Sequence, residues 1–444
     1  MRKIVTLLSI TALFWACNKD NDDTFVQQVT YQMEVTYGKD FDNKPAEGVK
    51  ITLLNQETGS SYEATTNSEG KASVSLYAGT YNINASQQLS KEKAETITGV
   101  AQEAVFNGSL SNITITTSQA SQLITLQAAQ IGNLVIKQVY YQGSDVKKGA
   151  NYRDQFIEIY NNSNQTIYLD GICFARITGA ANPSVENKNK KGYLANGQYD
   201  WSLAQGVTDA SNANTKYVFS QEVIAFPGSG KDYPLEAGKS VFLAQNALNH
   251  KINKDKNGVE SSVPNPELTI DLSNAQFEAY YGKEPNTVPL ASDIDNPNVP
   301  DMTIMYKSTG RKDLILDNKG WEAIILFTAT KAEIDSWAKV PLPTVPTVTE
   351  TTVRNVQIPI SRIIDGTNFQ HYSDAKACPH RLQDVIDAGD IKGIGQFSSK
   401  AAIRKVKTTI GGRTIYQDTN NSSNDFDPDT TPDISKINEV KYSK

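Results

Sequence analysis

The amino-acid sequence predicts an all-β protein made of two β-sandwich domains in tandem, the second with long loop insertions and one or two short helices. Short runs of residues alternate polar and apolar side chains and are rich in β-branched and aromatic residues, as half-buried strands are. Turn segments that contain glycine separate these runs. The length of 444 residues suits two domains.

The first predicted domain spans residues 29–128. Its clearest strands are the alternating runs Tyr31–Tyr37, Gly48–Leu54 and Lys71–Leu76. The segments between strands each offer a glycine where a tight turn needs positive φ, and they are Asn55–Gly59, Thr66–Lys71 and Tyr77–Tyr81. This spacing predicts a sandwich of roughly seven strands.

Three segments of this domain carry a family resemblance: Pro45–Leu53, Thr66–Gly70 and Ala78–Ile83. In order and spacing they resemble the transthyretin-like, or carboxypeptidase-regulatory-like, β-sandwich. The resemblance implies a spacer or adaptor, because the motif of such modules in secreted proteins contains no catalytic residue.

The second predicted domain spans residues 129–444 and follows a step of small residues at Gln127–Gly132. Its first strands are Leu134–Tyr140, Gln155–Asn162 and Ile167–Gly171. A Phe-Ile-Glu-Ile-Tyr-Asn strand closed by a Leu-Asp-Gly step resembles the lamin-tail fold, an immunoglobulin-like sandwich. The resemblance implies a central hairpin at Tyr233–Ala244 and closing strands at Ala402–Arg404 and Gln417–Phe426.

The second domain is about twice as long as such a sandwich needs, so three insertions are expected. They are the segments 176–234, 246–321 and 341–366. Long ordered loops on a rigid scaffold often carry binding residues. Tyr193, Tyr199 and Trp201 in the first insertion are therefore candidate ligand-contacting aromatics. Ordinary core packing of the three rings is the alternative.

The N-terminus has the pattern of a signal peptide. Two cations precede the apolar segment Ile4–Ala16, which is too short for the roughly 20 residues that span a bilayer. Residues 1–16 resemble a bacterial lipoprotein signal peptide, and Cys17 would receive the lipid. Two or more acyl chains make such an anchor effectively permanent.

Residues 17–28 form an acidic tether. Lys19, Asp20, Asp22 and Asp23 resemble the export signal of Bacteroidetes-type surface lipoproteins. An acidic stretch is also typical of a flexible, solvated linker. The expected location is the outer membrane, with the lipid-anchored chain exposed on the cell surface. The whole layout resembles a family of Bacteroidetes surface lipoproteins of unknown activity.

The net charge of −6 argues against nucleic acid as a partner, since nucleic-acid binding needs a basic surface. The cysteines that remain after Cys17 are Cys173 and Cys378. In an oxidising compartment they either form a disulfide or remain two buried thiols.

No cofactor and no metal are expected. His371, Asp374, Cys378 and His380 offer zinc donors, but their spacing matches no standard site. Two acidic loops hold oxygen ligands without the EF-hand pattern. They are Asp293–Asn296 with Asp301, and Asp418–Asp427.

Catalytic motifs are missing from the sequence. Gly238-Lys239-Ser240 mimics the end of a phosphate-binding loop, but Tyr233 stands where the leading glycine belongs. No nucleophile elbow or zinc-binding helix motif is present. We therefore expect no catalytic residue and no enzymatic activity. Thr430, in an Asp-Thr-Thr triplet, resembles a short O-glycosylation sequon.

These observations predict a non-catalytic surface lipoprotein that acts as a binding protein or adaptor, presenting its loops to a glycan or a protein. A first alternative is an accessory subunit of an outer-membrane uptake complex of the TonB-dependent type, with a β-barrel protein as its partner. A second alternative is a hydrolase whose site lies in the inserted loops.

Overall fold

The computed structural model describes residues 28–443 with short gaps. The gaps are residues 39–40, 99–103, 117–120, 130–133, 163–165, 182–183, 188, 255–256, 258, 286, 309 and 411–412. Cys17 and the acidic tether lie outside the described residues. Of the helices in the described part of the chain, none has the length and apolar character that a membrane-spanning helix needs.

The first sandwich is built from seven strands and one helix. They are β1 (Gln28–Tyr37), β2 (Lys50–Asn55), β3 (Ser61–Thr65), β4 (Lys71–Tyr77), β5 (Gly79–Leu89), α1 (Lys91–Thr98), β6 (Ala104–Ile115) and β7 (Gln122–Ala129). The strand order is β3-β2-β5-β6-β7-β1-β4. Among the strand pairs in the described part of this domain, β1 with β7 is parallel and the others are antiparallel. Alternate residues of β1 are buried, as the period-two pattern predicts.

The second sandwich contains the remaining strands. They are β8 (Leu134–Tyr140), β9 (Phe156–Asn161), β10 (Ile167–Tyr168), β11 (Ile172–Ile177), β12 (Tyr217–Ala225), β13 (Pro234–Leu235), β14 (Ser240–Ala244), β15 (Ile252–Lys254), β16 (Glu260–Ser262), β17 (Phe277–Glu278), β18 (Thr303–Lys307), β19 (Ala323–Thr328), β20 (Lys339–Val340), β21 (Asn355–Pro359), β22 (Ile363–Gln370), β23 (Ile391–Lys392), β24 (Ala401–Arg404), β25 (Val406–Ile410), β26 (Arg413–Tyr416) and β27 (Phe426–Thr430). Three helices accompany them: α2 (Ser184–Asn187), α3 (Lys331–Ser336) and α4 (Ser422–Asp425).

Two sheets of this domain face each other. One has the order β17-β14-β9-β8-β24-β27, and the other has β20-β21-β12-β11-β19-β22-β23 with β18 paired to β12. Their shared core includes Ile157, Phe174, Leu243 and Leu326. The all-β fold of two tandem sandwiches with few short helices is therefore confirmed.

Most of the predicted insertions pack against the outer faces of the two sheets and are not free loops. A second apolar layer lies on β11, β12 and β19 beneath Ile334 and Leu382, and a third lies on β9 and β14 beneath Leu272 and Ile437. As a result, all residues of β8 and β9 are buried. Strands covered on both faces lose the alternating pattern.

This double burial explains the first of two corrections. The predicted insertions 176–234, 246–321 and 341–366 contain strands of the two main sheets, namely β12, β17, β18, β21 and the start of β22. The predicted hairpin at Tyr233–Ala244 is wrong, because β13 pairs with β10 and β14 pairs with β9.

The two sandwiches touch through polar groups of β6. The Asn107 side-chain amide donates to the carbonyl of Asn420 at 3.4 Å, and the Ser109 hydroxyl donates to Asp384 Oδ2 at 2.6 Å. Asn107 is fully buried. These contacts fix the first sandwich against the loops that follow β22 and β26.

Candidate ligand-binding groove

An open groove of about 620 Å³ lies at one end of the second sandwich. One wall is the segment that leads into β14, and the other is the C-terminal tail. The lining residues are Asp232, Tyr233, Pro234, Glu236, Lys239, Glu439, Val440, Lys441, Tyr442 and Ser443. Its volume falls in the range of small-molecule binding sites, roughly 300–1,000 Å³.

Asp170, from the Leu-Asp-Gly step, shapes the first wall. Its Oδ1 accepts from the backbone N–H groups of Gly230 at 3.0 Å and Asp232 at 2.8 Å, and its Oδ2 accepts from that of Tyr233 at 2.9 Å. Burial alone would raise the pKa of Asp170, but these donors outweigh it and lower the pKa. Asp170 is therefore a structural cap for the loop.

Gly228 lets this loop pass close to Asp170. Its φ is +111°, and an added Cβ would lie 2.1 Å from Asp170 Oδ1. Only glycine fits both constraints.

The C-terminal tail is pinned in place by buried contacts. Gln276 Nε2 donates to the carbonyls of Ile437 at 2.7 Å and Val440 at 2.8 Å. The Tyr442 hydroxyl donates to the Pro234 carbonyl at 2.8 Å, which ties the two walls together. The Tyr442 ring meets the Tyr233 ring edge to face, with centroids 5.1 Å apart.

The groove mixes charges with aromatic rings. Lys239 Nζ lies 3.2 Å from Glu439 Oε2 and bridges the two walls. Asp232, Glu236 and Lys441 are exposed. Carboxylates and ammonium groups beside two tyrosine rings can hydrogen-bond hydroxyl groups and pack against an apolar ring face.

The aromatic residues that the sequence predicted as ligand contacts do not line this groove. Trp201 is only 6% exposed, and its ring stacks on Phe219 at 3.9 Å in a small core of its own. It is therefore unavailable to a ligand, and its assignment as a ligand contact is corrected. Tyr193 and Tyr199 stack on each other at 5.3 Å, and both are half-buried.

The two cysteines are free thiols, so the disulfide alternative is wrong. Cys173 Sγ lies 3.5 Å from the Ala329 carbonyl, and Cys378 Sγ lies 3.7 Å from that of Lys376. Burial raises the pKa of Cys173 to about 12, which makes it a poor nucleophile.

His380 does not offer a free lone pair to a metal. Its Nδ1 lies 3.0 Å from Asp390 Oδ1, and its Nε2 lies 2.7 Å from the Asp387 carbonyl. Burial would lower the pKa of His380, but Asp390 outweighs it and raises the pKa to about 9. The ring is therefore an imidazolium that donates from both nitrogens.

Of the two acidic loops, the first comes together with a residue that the sequence did not indicate. Ligand atoms of Asp295, Asp301 and Glu278 lie within 4.8 Å of one another. Lys283 forms ion pairs with Asp295 and Asp301. This ammonium group supplies positive charge to the cluster, and we assign no ion to it.

Two carboxylates of the second acidic loop bind a guanidinium. Arg404 Nη1 lies 3.1 Å from Asp418 and 3.5 Å from Asp425, and its Nη2 lies 2.7 Å from Asp365. We call these four residues the Arg404 cluster. Every side chain in it is at most 3% exposed.

Thr430 ends β27 and is half-buried. Its hydroxyl lies 3.5 Å from the Asp427 carbonyl. The following Thr431 is exposed. The glycosylation of Thr430 stays a prediction.

The groove residues Tyr233, Lys239 and Tyr442 were not indicated as binding residues by the sequence. The only local signal was the Gly-Lys-Ser turn, which places Lys239 in the groove wall. No sequence pattern marked Tyr442 as a binding residue, because its place in the groove depends on where the C-terminal tail packs.

Comparisons with known proteins give one match to a family model and several similar structures. Residues 236–433 match the model of a family described as "Protein of unknown function (DUF4876)". The chain is similar to the crystal structure of a DUF4876 family protein from Bacteroides thetaiotaomicron VPI-5482, with 23% identity and a TM-score of 0.53 over 93% of this chain and 98% of that chain. At this identity the similarity shows the fold alone.

A DUF3823 family protein from Parabacteroides merdae ATCC 43184 matches 34% of this chain and 66% of its own at 10% identity, with a TM-score of 0.14, which is too low to support an argument. No curated protein matches the chain. Part of the second sandwich, residues 236–433, is thus similar to the DUF4876 family model, and the chain shares its fold with the Bacteroides thetaiotaomicron protein.

Proposed function

We propose that this protein is a lipid-anchored, cell-surface binding protein that takes a neutral glycan into the groove between Tyr233 and Tyr442. The observation that carries the proposal is the groove itself: an open space of about 620 Å³ lined by two tyrosines and five charged side chains. A sugar has hydroxyl groups for the charges and an apolar ring face for the tyrosines.

The charges of the groove favour a neutral ligand. Asp232, Glu236 and Glu439 supply three carboxylates, against the ammonium groups of Lys239 and Lys441. The excess of negative charge disfavours a polyanion, because like charges brought together in an interface repel.

The proposed anchor is Cys17, and the acidic tether with the first sandwich would hold the groove away from the membrane. The contacts of Asn107 and Ser109 with the second sandwich support a fixed spacing. Protease added to intact cells is expected to remove the protein, and Cys17→Ser is expected to move it into the aqueous phase on detergent partitioning. Protection from protease in intact cells would contradict surface display.

Binding can be tested by affinity electrophoresis of the detergent-extracted full chain in gels that contain neutral polysaccharides. Tyr442→Ala removes the ring from one wall and is expected to weaken retardation roughly three- to tenfold, the scale of one aromatic contact. Tyr442→Phe keeps the ring and should retain most of the binding. Tyr77→Ala is a control at an exposed tyrosine of the first sandwich.

Equal retardation of the wild type and Tyr442→Ala would exclude the groove. A panel of neutral glucans, mannans and xylans that retards none of the variants would exclude a neutral glycan as its ligand.

A further inference from the structure

A stack of three aromatic rings lies at a different place on the second sandwich. Trp321 precedes β19, and His371 and Tyr372 follow β22. The two strands are antiparallel neighbours, with Ala323 opposite Asn368, so the end of one meets the beginning of the other. We call these three residues the Trp321 stack.

Tight turns hold the stack together. Asp317 Oδ1 accepts from the backbone N–H groups of Lys319 at 2.9 Å and Trp321 at 3.3 Å. Gly320 has φ +84°, and a Cβ there would lie 2.4 Å from the Gln370 carbonyl. The glycine therefore allows the turn before Trp321 to press against the end of β22.

The rings are nearly parallel and fixed. Trp321 and His371 have centroids 5.0 Å apart at 30°, and His371 and Tyr372 have centroids 4.2 Å apart at 28°. The indole Nε1 of Trp321 donates to the Lys376 carbonyl at 3.2 Å. His371 Nδ1 accepts from the Ser373 N–H at 2.9 Å. Rings already held in place lose little freedom when a ligand binds.

The stack is open to solvent at one end. His371 is 1% exposed, whereas Tyr372 is 36% exposed and Trp321 is half-buried. None of the three rings belongs to the hydrophobic cores found among the described residues. Tyr372 therefore presents aromatic surface that the fold does not use.

The rim of the stack is basic. Lys319 Nζ lies 5.1 Å from the centre of the Trp321 ring. Lys376 and Lys392 are exposed, and Lys392 pairs with Asp374. Lys319 lies over the Trp321 ring, the Lys376 carbonyl accepts from the indole, and Lys392 pairs with Asp374, so three lysines belong to this region, against the carboxylates of Asp317 and Asp374. This balance is opposite to that of the groove, and it suits a ligand with negative charge.

We propose that the Trp321 stack binds an acidic sugar, a uronic acid residue of a polysaccharide, with the pyranose face on Tyr372 and the carboxylate near Lys376 and Lys319. A ring face beside a carboxylate matches the aromatic surface beside ammonium groups. A carboxylate so placed could accept hydrogen bonds from either lysine.

The stack is independent of the groove. Asp170, which shapes the groove, precedes the first residue of β11, whereas β19 begins beside the other end of β11, where Arg176 lies opposite Ile324. Six residues of strand separate the two ends, which is about 20 Å. The proposal therefore does not rest on the groove binding a glycan.

The test is affinity electrophoresis of the full chain in gels that contain polygalacturonate, alginate or hyaluronan, with neutral dextran as the comparison. Tyr372→Ala is expected to weaken retardation by a uronate polymer roughly three- to tenfold, whereas Tyr372→Phe keeps the ring and the retardation. Lys376→Ala should weaken binding and reduce its dependence on salt. Tyr442→Ala, in the groove, and Tyr77→Ala should bind uronate polymers like the wild type.

Retardation that Tyr372→Ala leaves unchanged would overturn the proposal, and so would the absence of retardation by any uronate polymer. Uronate binding that is lost in Tyr442→Ala but kept in Tyr372→Ala would place the acidic sugar in the groove and overturn the stack proposal. Loss of uronate binding in Tyr372→Ala with groove binding unchanged would support the stack alone. Thermal melting of each variant checks that it is folded.

Discussion

At the scale of single residues, the most consequential side chain is Arg404. Its guanidinium is buried with three carboxylates, and Nε also donates to the Ile136 carbonyl at 2.9 Å. Asp365, on β22, reaches the backbone N–H of Ile136 at 2.6 Å. The Arg404 cluster therefore joins β8, β22 and the loop before β27 by charge-assisted bonds.

Replacing Arg404 with alanine leaves three buried carboxylates without their cation. We expect Arg404→Ala to lower the free energy of unfolding by about 3–5 kcal/mol, as the removal of one partner of a buried ion pair does. The measurement is urea denaturation followed by circular dichroism. Lys405→Ala is the matched control, because Lys405 is 38% exposed and should cost less than about 1 kcal/mol. Equal losses in the free energy of unfolding for Arg404→Ala and Lys405→Ala would show that the Arg404 cluster contributes no special stability.

The sequence showed the acidic loop Asp418–Asp427 as a set of oxygen ligands without a standard metal pattern, and the partner of Asp418 is an arginine fourteen residues earlier in the chain. Nothing local pairs Arg404 with Asp365, because the contact depends on how β24 and β22 pack. The same holds for Glu278, which joins Asp295 and Asp301 only in the folded chain.

At the scale of elements, helix α3 covers one outer face of the second sandwich. It buries Ile334 over β11 and β19. Its N-terminus has a capping box: Thr330 Oγ1 accepts from the Glu333 N–H at 3.2 Å, and Glu333 Oε2 accepts from the Thr330 N–H at 2.9 Å. Two of the helix N–H groups that would otherwise lack partners are satisfied in this way.

We expect Thr330→Ala to lower the free energy of unfolding by about 1 kcal/mol, because it removes the cap of α3. Lys331→Ala is the control: it breaks only the exposed ion pair with Asp335, worth about 0.3–0.5 kcal/mol. Both are measured by urea denaturation. A smaller loss for Thr330→Ala than for Lys331→Ala would contradict the role of the cap.

The sequence predicted strands correctly where one face of the sheet is exposed to solvent. Runs such as Tyr31–Tyr37 and Lys71–Leu76 alternate, and they form β1 and β4. β12, β21 and β22 escaped prediction and were assigned to insertions, because layers from distant segments cover both faces of their sheet and no alternation remains.

At the scale of the whole molecule, the surroundings of two buried carboxyl groups raise their pKa values. Burial raises the pKa of Glu278 to about 8, and burial together with Asp313 raises that of Asp293 to about 8. Glu278 is fully buried, and its two oxygens each accept one backbone N–H, from Asn296 and Ala247. Such groups hold protons more tightly in the folded chain than in the unfolded chain.

These raised pKa values make the folded protein less stable as the pH rises. A carboxyl whose folded pKa is raised stabilises the fold below its unfolded pKa, near 4.3 for glutamate, and this contribution is lost as the pH rises to 8. The raised pKa of His380 acts in the same direction up to about 9. We expect the free energy of unfolding to fall by at least about 1 kcal/mol between pH 6.5 and 8.5, since one pKa unit corresponds to about 1.4 kcal/mol.

Urea denaturation at fixed ionic strength across this range measures the effect. Glu278→Gln should show a shallower decline, although it is less stable overall because its amide NH₂ faces one of the two backbone donors. The lowered pKa of His250, about 4 because of burial, acts only below pH 6.5 and stays outside the window. A flat profile for the wild type would contradict the expected ionisation.

The amino-acid sequence was enough to predict the all-β class, the tandem arrangement and the strands with one solvent-exposed face, because side-chain alternation and glycine turns are local properties of the chain. Which distant segments meet depends on the tertiary structure: Arg404 contacts Asp365, Glu439 of the tail contacts Lys239 of the groove wall, and the Trp321 ring packs beside the His371 ring. These contacts join residues 39 to about 200 positions apart, and loop closure over such distances leaves no local pattern to detect.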